Sequence, residues 1–191
     1  MTFEIVKING EPAIIGHGEI VIGDADRLLK VLIPSAKHSR GYFPLVLISP
    51  GGSVAAAFEV SRVIDKFPVF TYVPPGAECV SACAAIEFIS GQEHLAIGNG
   101  KLGFHGCYNA ATKEIISDCN EAIAQHSVNH GTAYGSVMAF IQHVPANEVI
   151  WIDGQQADCW AINRYTFSPQ PEGYESCVFA AIRSGVPPKK Q

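Results

Sequence analysis

A glycine pair, a serine and a histidine in this chain could together perform acyl transfer. Ser81 lies in Glu78-Cys79-Val80-Ser81-Ala82-Cys83. It follows Gly52 of Ser49-Pro50-Gly51-Gly52-Ser53 by 29 residues (81 − 52 = 29) and precedes His105 of Leu102-Gly103-Phe104-His105-Gly106 by 24 (105 − 81 = 24). A serine hydroxyl attacks a carbonyl when a neighbouring base takes its proton, and the oxyanion that forms needs fixed N–H donors. A glycine turn can supply them, because it leaves backbone N–H groups open to a ligand.

Each residue also has an ordinary reading. Gly51-Gly52 could be a tight strand-to-helix connection, Ser81 a helix N-cap and His105 a structural histidine. Neither GxGxxG nor GxxxxGK[ST] is present, so the glycines do not form a phosphate loop. His126 and His130 stand four apart on an expected helix and could grip a metal, but no third ligand is near in sequence, and no metal or other cofactor is expected. His17 reads as part of a turn, and His38, His94 and His143 as surface or loop residues.

The elements that must position these residues alternate. Ala13–Ile15, Glu19–Ile22, Leu45–Ile48, Val69–Val73 and His94–Ile97 read as strands, with Leu45–Ile48 apolar enough to be buried on both faces. Asp24–Leu32 and Val54–Phe67 read as helices between them, the second stopping before Pro68. Glu78 to Val80 reads as loop, Ser81–Ser90 as an apolar helix, and Leu102–His105 as a short extended run. Further on, Asp118 opens a helix reaching His130, and a helical pattern resumes over Val137–Ile141. Asp153, with Gln156 at N3, caps a helix running through Ile162. Ser168–Gly173 reads as loop, Cys177–Arg183 as a last helix and 186–191 as a disordered tail. Alternating strands and helices predict an α/β fold with parallel sheet, in one domain over 1–185.

Composition narrows the setting. With 191 residues, 48% hydrophobic and 16% charged, the chain can bury a sizeable core. A net charge of −5 with dispersed lysines and arginines argues against nucleic acid as a partner. Glu4 and Lys7 interrupt the N-terminal apolar residues and no run has the length of a membrane span, so a cytoplasmic protein is expected, with the periplasm as the alternative if a leader was removed. The six cysteines form no CxxC pair; they read as buried free thiols, with Cys79 and Cys83 as packing residues or a local disulfide.

Ser-Pro-Gly-Gly-Ser, the Cys-Val-Ser-Ala-Cys turn and Leu-Gly-Phe-His, in this order and at these spacings, resemble the ClpP-like serine peptidases of the ClpP/crotonase superfamily. The similarity runs from Gly18 to about Gly106. It implies a stack of ββα units with a helical C-terminal half and a serine peptidase that hydrolyses peptide bonds. In that resemblance Ser81 is the nucleophile, His105 the general base, and the N–H groups of Gly52 and Ala82 the oxyanion hole. Glu148 is the expected third member orienting His105, with Asn147 and Asp153 as rivals and a Ser-His dyad as the simpler alternative. The resemblance also implies a peptide or unfolded-protein substrate and a homo-oligomer assembled through Asp118 to His143, and it leaves an ATPase partner open. A crotonase-type acyl-CoA enzyme and a non-catalytic binding or scaffold protein are the alternatives.

Overall fold

The computed structural model describes residues 1–165. The expected loop over Ser168–Gly173, the Cys177–Arg183 helix, the 186–191 tail and the end of the domain at 185 lie outside them.

A five-stranded sheet carries the molecule. Its strands are β1 (Thr2–Ile8), β2 (Glu11–His17), β3 (Phe43–Ile48), β4 (Val69–Val73) and β6 (Glu93–Ala96), adjacent in the order β1-β2-β3-β4-β6. β1 and β2 form an antiparallel hairpin, and the remaining pairings are parallel. The parallel strands arise from the expected alternation: α1 (Asp24–Leu32) and α2 (Val54–Ile64) provide crossovers and return the chain in the same direction. Leu28 and Leu32 of α1, Val60 and Ile64 of α2, and Leu45 and Leu47 of β3 share one core. Both faces of β3 are covered over Leu45–Leu47, and Ile48 emerges at 39% exposure as the chain leaves the sheet toward the glycines.

A second sheet is short. β5 (Glu78–Val80), β7 (Lys101–Phe104) and β8 (Ile150–Ile152) lie in the order β5-β7-β8, with β5 and β7 parallel and β7 and β8 antiparallel. The later helices are α3 (Ser117–Asn129), α4 (Tyr134–Ile141) and α5 (Gly154–Cys159), the last closed by the expected Asp153/Gln156 capping box. The architecture is therefore mixed α/β.

Several expectations need correction. Glu19–Ile22 is not a strand: Ile20 makes a single bridge to Gly52, and Gly23, at φ 89°, turns the chain into α1. Ser81–Ser90 is not a plain α-helix, because Cys83–Phe88 winds as a π-helix. His17 ends β2 instead of forming a turn. His94 is fully buried, not a surface residue; its Nδ1 pairs with the Gly91 carbonyl and its Nε2 with the Thr132 hydroxyl, each at 3.1 Å. Burial pushes its pKa down to about 4, so the ring is neutral, donating on one side and accepting on the other.

The π-helix also holds a carboxyl group in the core. Glu87 is fully buried, and neither side-chain oxygen has a hydrogen-bond partner among the described residues. Burial, reinforced by the Asp24 carboxylate, pushes its pKa up to about 8 despite an opposing pull from the N-terminal amine. A carboxyl raised in this way holds a proton in the folded state that the unfolded chain releases. Its contribution to stability is therefore full below the ordinary value of 4.5 and is lost as pH rises toward about 8. Glu87→Gln keeps the shape without the ionisation. It is expected to exceed the parent in stability by roughly 3 kcal/mol at neutral pH, with the gap closing as the medium is acidified. Thermal melts of both proteins over that pH range would show converging curves; parallel curves would exclude this origin.

Candidate active site

The spacing of Ser81 and His105 is a consequence of strand register. β5 pairs with β7 as Glu78↔Lys101, Cys79↔Leu102 and Val80↔Gly103, an offset of 23 (101 − 78 = 23). Ser81 continues β5, and its N–H donates to the Gly103 carbonyl at 2.7 Å. His105 comes directly after β7, so the 24-residue separation is the register offset plus one residue.

The glycine turn is set the same way. Ser49 bridges Cys79, its N–H donating to the Glu78 carbonyl at 3.0 Å while its carbonyl accepts from Val80 N–H at 2.9 Å. That offset of 30 (79 − 49 = 30) puts Gly51 level with Ser81 (81 − 51 = 30). The two touch: a Cβ on Gly51 would lie 2.7 Å from Ser81 Cβ and 2.6 Å from the Val80 carbonyl oxygen. Ser49 also accepts the Gly51 N–H on its hydroxyl at 3.0 Å, which uses that donor. The sequence reading missed Ser49 as a positioning residue, although it begins the Ser-Pro-Gly-Gly-Ser motif.

Gly52 is the glycine left open. Its φ of 146° is a conformation that side chains rarely adopt, and Ile20 clamps the turn from both sides: Ile20 N–H donates to the Gly51 carbonyl at 2.8 Å and Ser53 N–H to the Ile20 carbonyl at 3.0 Å. The Gly52 N–H has no acceptor among the described residues. Ser53 caps α2 through its hydroxyl, which accepts the Ala56 N–H at 3.2 Å.

Ser81 does not act as a cap in this way. Its φ is 58°, in the left-handed region, whereas an N-cap residue has extended backbone. Among the described residues nothing hydrogen-bonds to its hydroxyl; only its carbonyl joins the helix, accepting the Ala85 N–H at 2.9 Å. Left-handed backbone costs a non-glycine residue roughly 1–2 kcal/mol, and such strain gathers at functional sites. The turn from strand to helix thus presents the Oγ, with the Ala82 N–H at the helix start, where donors have no intrahelical acceptor.

His105 is half-buried. Its Nδ1 lies 2.9 Å from the Gly106 carbonyl, a contact satisfied by the tautomer protonated at Nδ1, which leaves Nε2 as an acceptor. Ser81, Gly52 and His105 line one cleft of about 500 Å³, with Tyr108 against the His105 ring at 5.5 Å. No direct hydrogen bond joins Ser81 to His105. Ala82 is buried and is not among the residues lining the cleft. Glu148, Asn147 and Asp153 are not among the lining residues, and Asp153 is engaged in its capping box.

The histidine pair is elsewhere. His126 Nε2 lies 3.1 Å from Ser90 Oγ, and His130 Nε2 lies 2.8 Å from Asp65. Among the described residues no three His, Cys, Asp or Glu groups are placed to share a metal.

The cysteines overturn the free-thiol expectation. Cys79–Cys83 and Cys107–Cys119 are disulfides, and Cys159 is disulfide-bonded as well. Cys79–Cys83 is fully buried and brackets Ser81 two residues to either side. Cys107, two residues after His105, forms part of the cleft wall, and its bridge to Cys119 is half-buried. The Cys79–Cys83 bridge is the local disulfide that the sequence held open; for Cys107–Cys119 the even cysteine count was the only sequence signal.

A scan of protein-family models finds no match to this chain, and neither does a search of curated protein sequences. Among solved structures, the chain is similar to the 1510-N membrane-bound stomatin-specific protease in a serine-to-alanine mutant form. The TM-score is 0.58 at 17% identity, over 78% of this chain and 75% of that one. At that identity the likeness shows a shared fold. No described helix is long and apolar enough to cross a membrane.

Proposed function

We propose that this chain is a ClpP-like serine peptidase, built on the superfamily's ββα units, with Ser81 as nucleophile and His105 as general base. The observation that carries the reading is the strained backbone of Ser81, which aims an uncommitted hydroxyl into the cleft it shares with His105. Its helix-capping alternative loses support because the hydroxyl caps nothing.

In this reading Nε2 of His105 takes the Ser81 proton as Oγ attacks the peptide carbonyl. The carbonyl oxygen becomes an oxyanion facing the N–H groups of Gly52 and Ala82, and Nε2–H then protonates the leaving amine. Water deprotonated by the same nitrogen hydrolyses the acyl-enzyme and restores Ser81. The Gly106 carbonyl holds Nδ1–H, so a backbone acceptor supports the orientation of His105; Glu148 stays the side-chain candidate for that role. Apo sites hold such groups loosely and tighten them around substrate, so the missing Ser81–His105 bond is compatible with catalysis.

Disulfides persist in oxidising compartments and are rare in the cytosol. The bonded cysteines therefore favour an extracytoplasmic setting over the cytoplasmic one expected from the sequence.

A fluorophosphonate that attaches to activated serines tests the assignment. Mass spectrometry is expected to place the adduct on Ser81, and His105→Ala to slow its formation by about 100-fold or more. Absence of the adduct, or equal labelling of the variant, would refute the dyad.

A further inference from the structure

Among the described residues Glu19 is the only acidic one lining the cleft, and no lysine or arginine joins it there. Its backbone is fixed to the glycine turn. Ile20, the next residue, bonds to Gly51 and Ser53 on either side of Gly52, while the Glu19 carbonyl accepts the Met1 amino group at 2.6 Å. The side chain itself is exposed and makes no ion pair among the described residues. A solvated surface glutamate is the ordinary reading of such a residue. Two features count against it here: its backbone is anchored one residue from the clamp on the glycine turn, and the described walls around it hold no other acidic residue and no lysine or arginine. A cleft lined by charge of one sign concentrates ligands of the other sign.

We propose that Glu19 makes this a cation-selecting cleft, receiving an arginine or lysine side chain of a peptide while the adjoining backbone lies across Ser81. That second clause rests on Ser81 being the nucleophile. The pairing would be charge-assisted, and arginine would have the advantage of two parallel N–H donors for one carboxylate.

Binding can be read without turnover. Acetyl-Ala-Arg-Ala-amide and the same peptide with citrulline, which is close in shape to arginine but uncharged, would be titrated into the Ser81→Ala protein by calorimetry or NMR. The arginine peptide is expected to bind about tenfold more tightly, with the difference shrinking as salt is added. Glu19→Gln should abolish the difference, and Glu19→Asp should retain part of it. Equal binding of the two peptides, or a preference that survives in Glu19→Gln, would overturn the proposal. Failure of the peptidase reading is a different result: the unmutated protein would carry no fluorophosphonate adduct on Ser81, whatever the two peptides do.

Discussion

Replacing Cys79 and Cys83 together by alanine is expected to slow fluorophosphonate labelling of Ser81 at least tenfold while the protein stays folded. The bridge closes a very short loop, so its removal costs roughly 2 kcal/mol of global stability by chain entropy, within the margin of an ordinary domain. Its local effect is larger in proportion. Ser81 is held at φ 58° with a crosslink two residues to either side, and both sulfurs are fully buried. Without the crosslink, the roughly 1–2 kcal/mol cost of left-handed backbone is free to drive the turn toward ordinary conformations that withdraw the hydroxyl. Labelling rate and circular dichroism should be measured on the same sample. Native helicity with slowed labelling supports the restraint, whereas unchanged labelling refutes it.

Gly52→Ala should be more damaging still. A Cβ there would stand 2.3 Å from the Ile20 carbonyl oxygen and 2.8 Å from its nitrogen, both backbone atoms that cannot swing aside. The φ of 146° adds a penalty of about 1–3 kcal/mol. The turn must shift, and the Gly52 N–H shifts with it. Loss of one oxyanion donor costs about 3 kcal/mol in the transition state, so hydrolysis of an activated ester should fall by 100-fold or more, alongside a lower melting temperature. Gly10→Ala is the matched control, since Gly10 has φ 84° but nothing within 4 Å of a Cβ. It should lose about 1 kcal/mol of stability and keep its esterase rate. If the two variants proved equally active, Gly52 would have no part in the site.

Local pattern made some of this legible and non-local pairing hid the rest. α1 and β4 fall where periodicity and β-branched residues put them, because their preferences and their burial agree. β5 has only three residues after a Pro-Pro-Gly loop, and β7 is what makes it a strand. β1 escaped notice because its exposed edge tolerates Glu4 and Lys7 among the apolar residues. Ser81, Gly52 and His105 could be picked out because their side chains, or the lack of one, are letters in the sequence. Backbone groups are not: the Gly106 carbonyl, the clamp by Ile20 and the left-handed turn at Ser81 exist only once the strands are in register. The cysteines show a subtler gap. Their number permits pairing, but a chain able to bury a large core gives no reason to require it.

The half-buried Cys107–Cys119 bridge has a practical consequence at the bench. It lies in the wall of the cleft, within reach of the thiol reductants routinely added to purification buffers. A sample prepared in dithiothreitol would keep its sheets and lose the fastening beside His105. Tested for peptidase activity in that buffer, a competent enzyme would pass for an inert scaffold, so the first assay should be run without reductant.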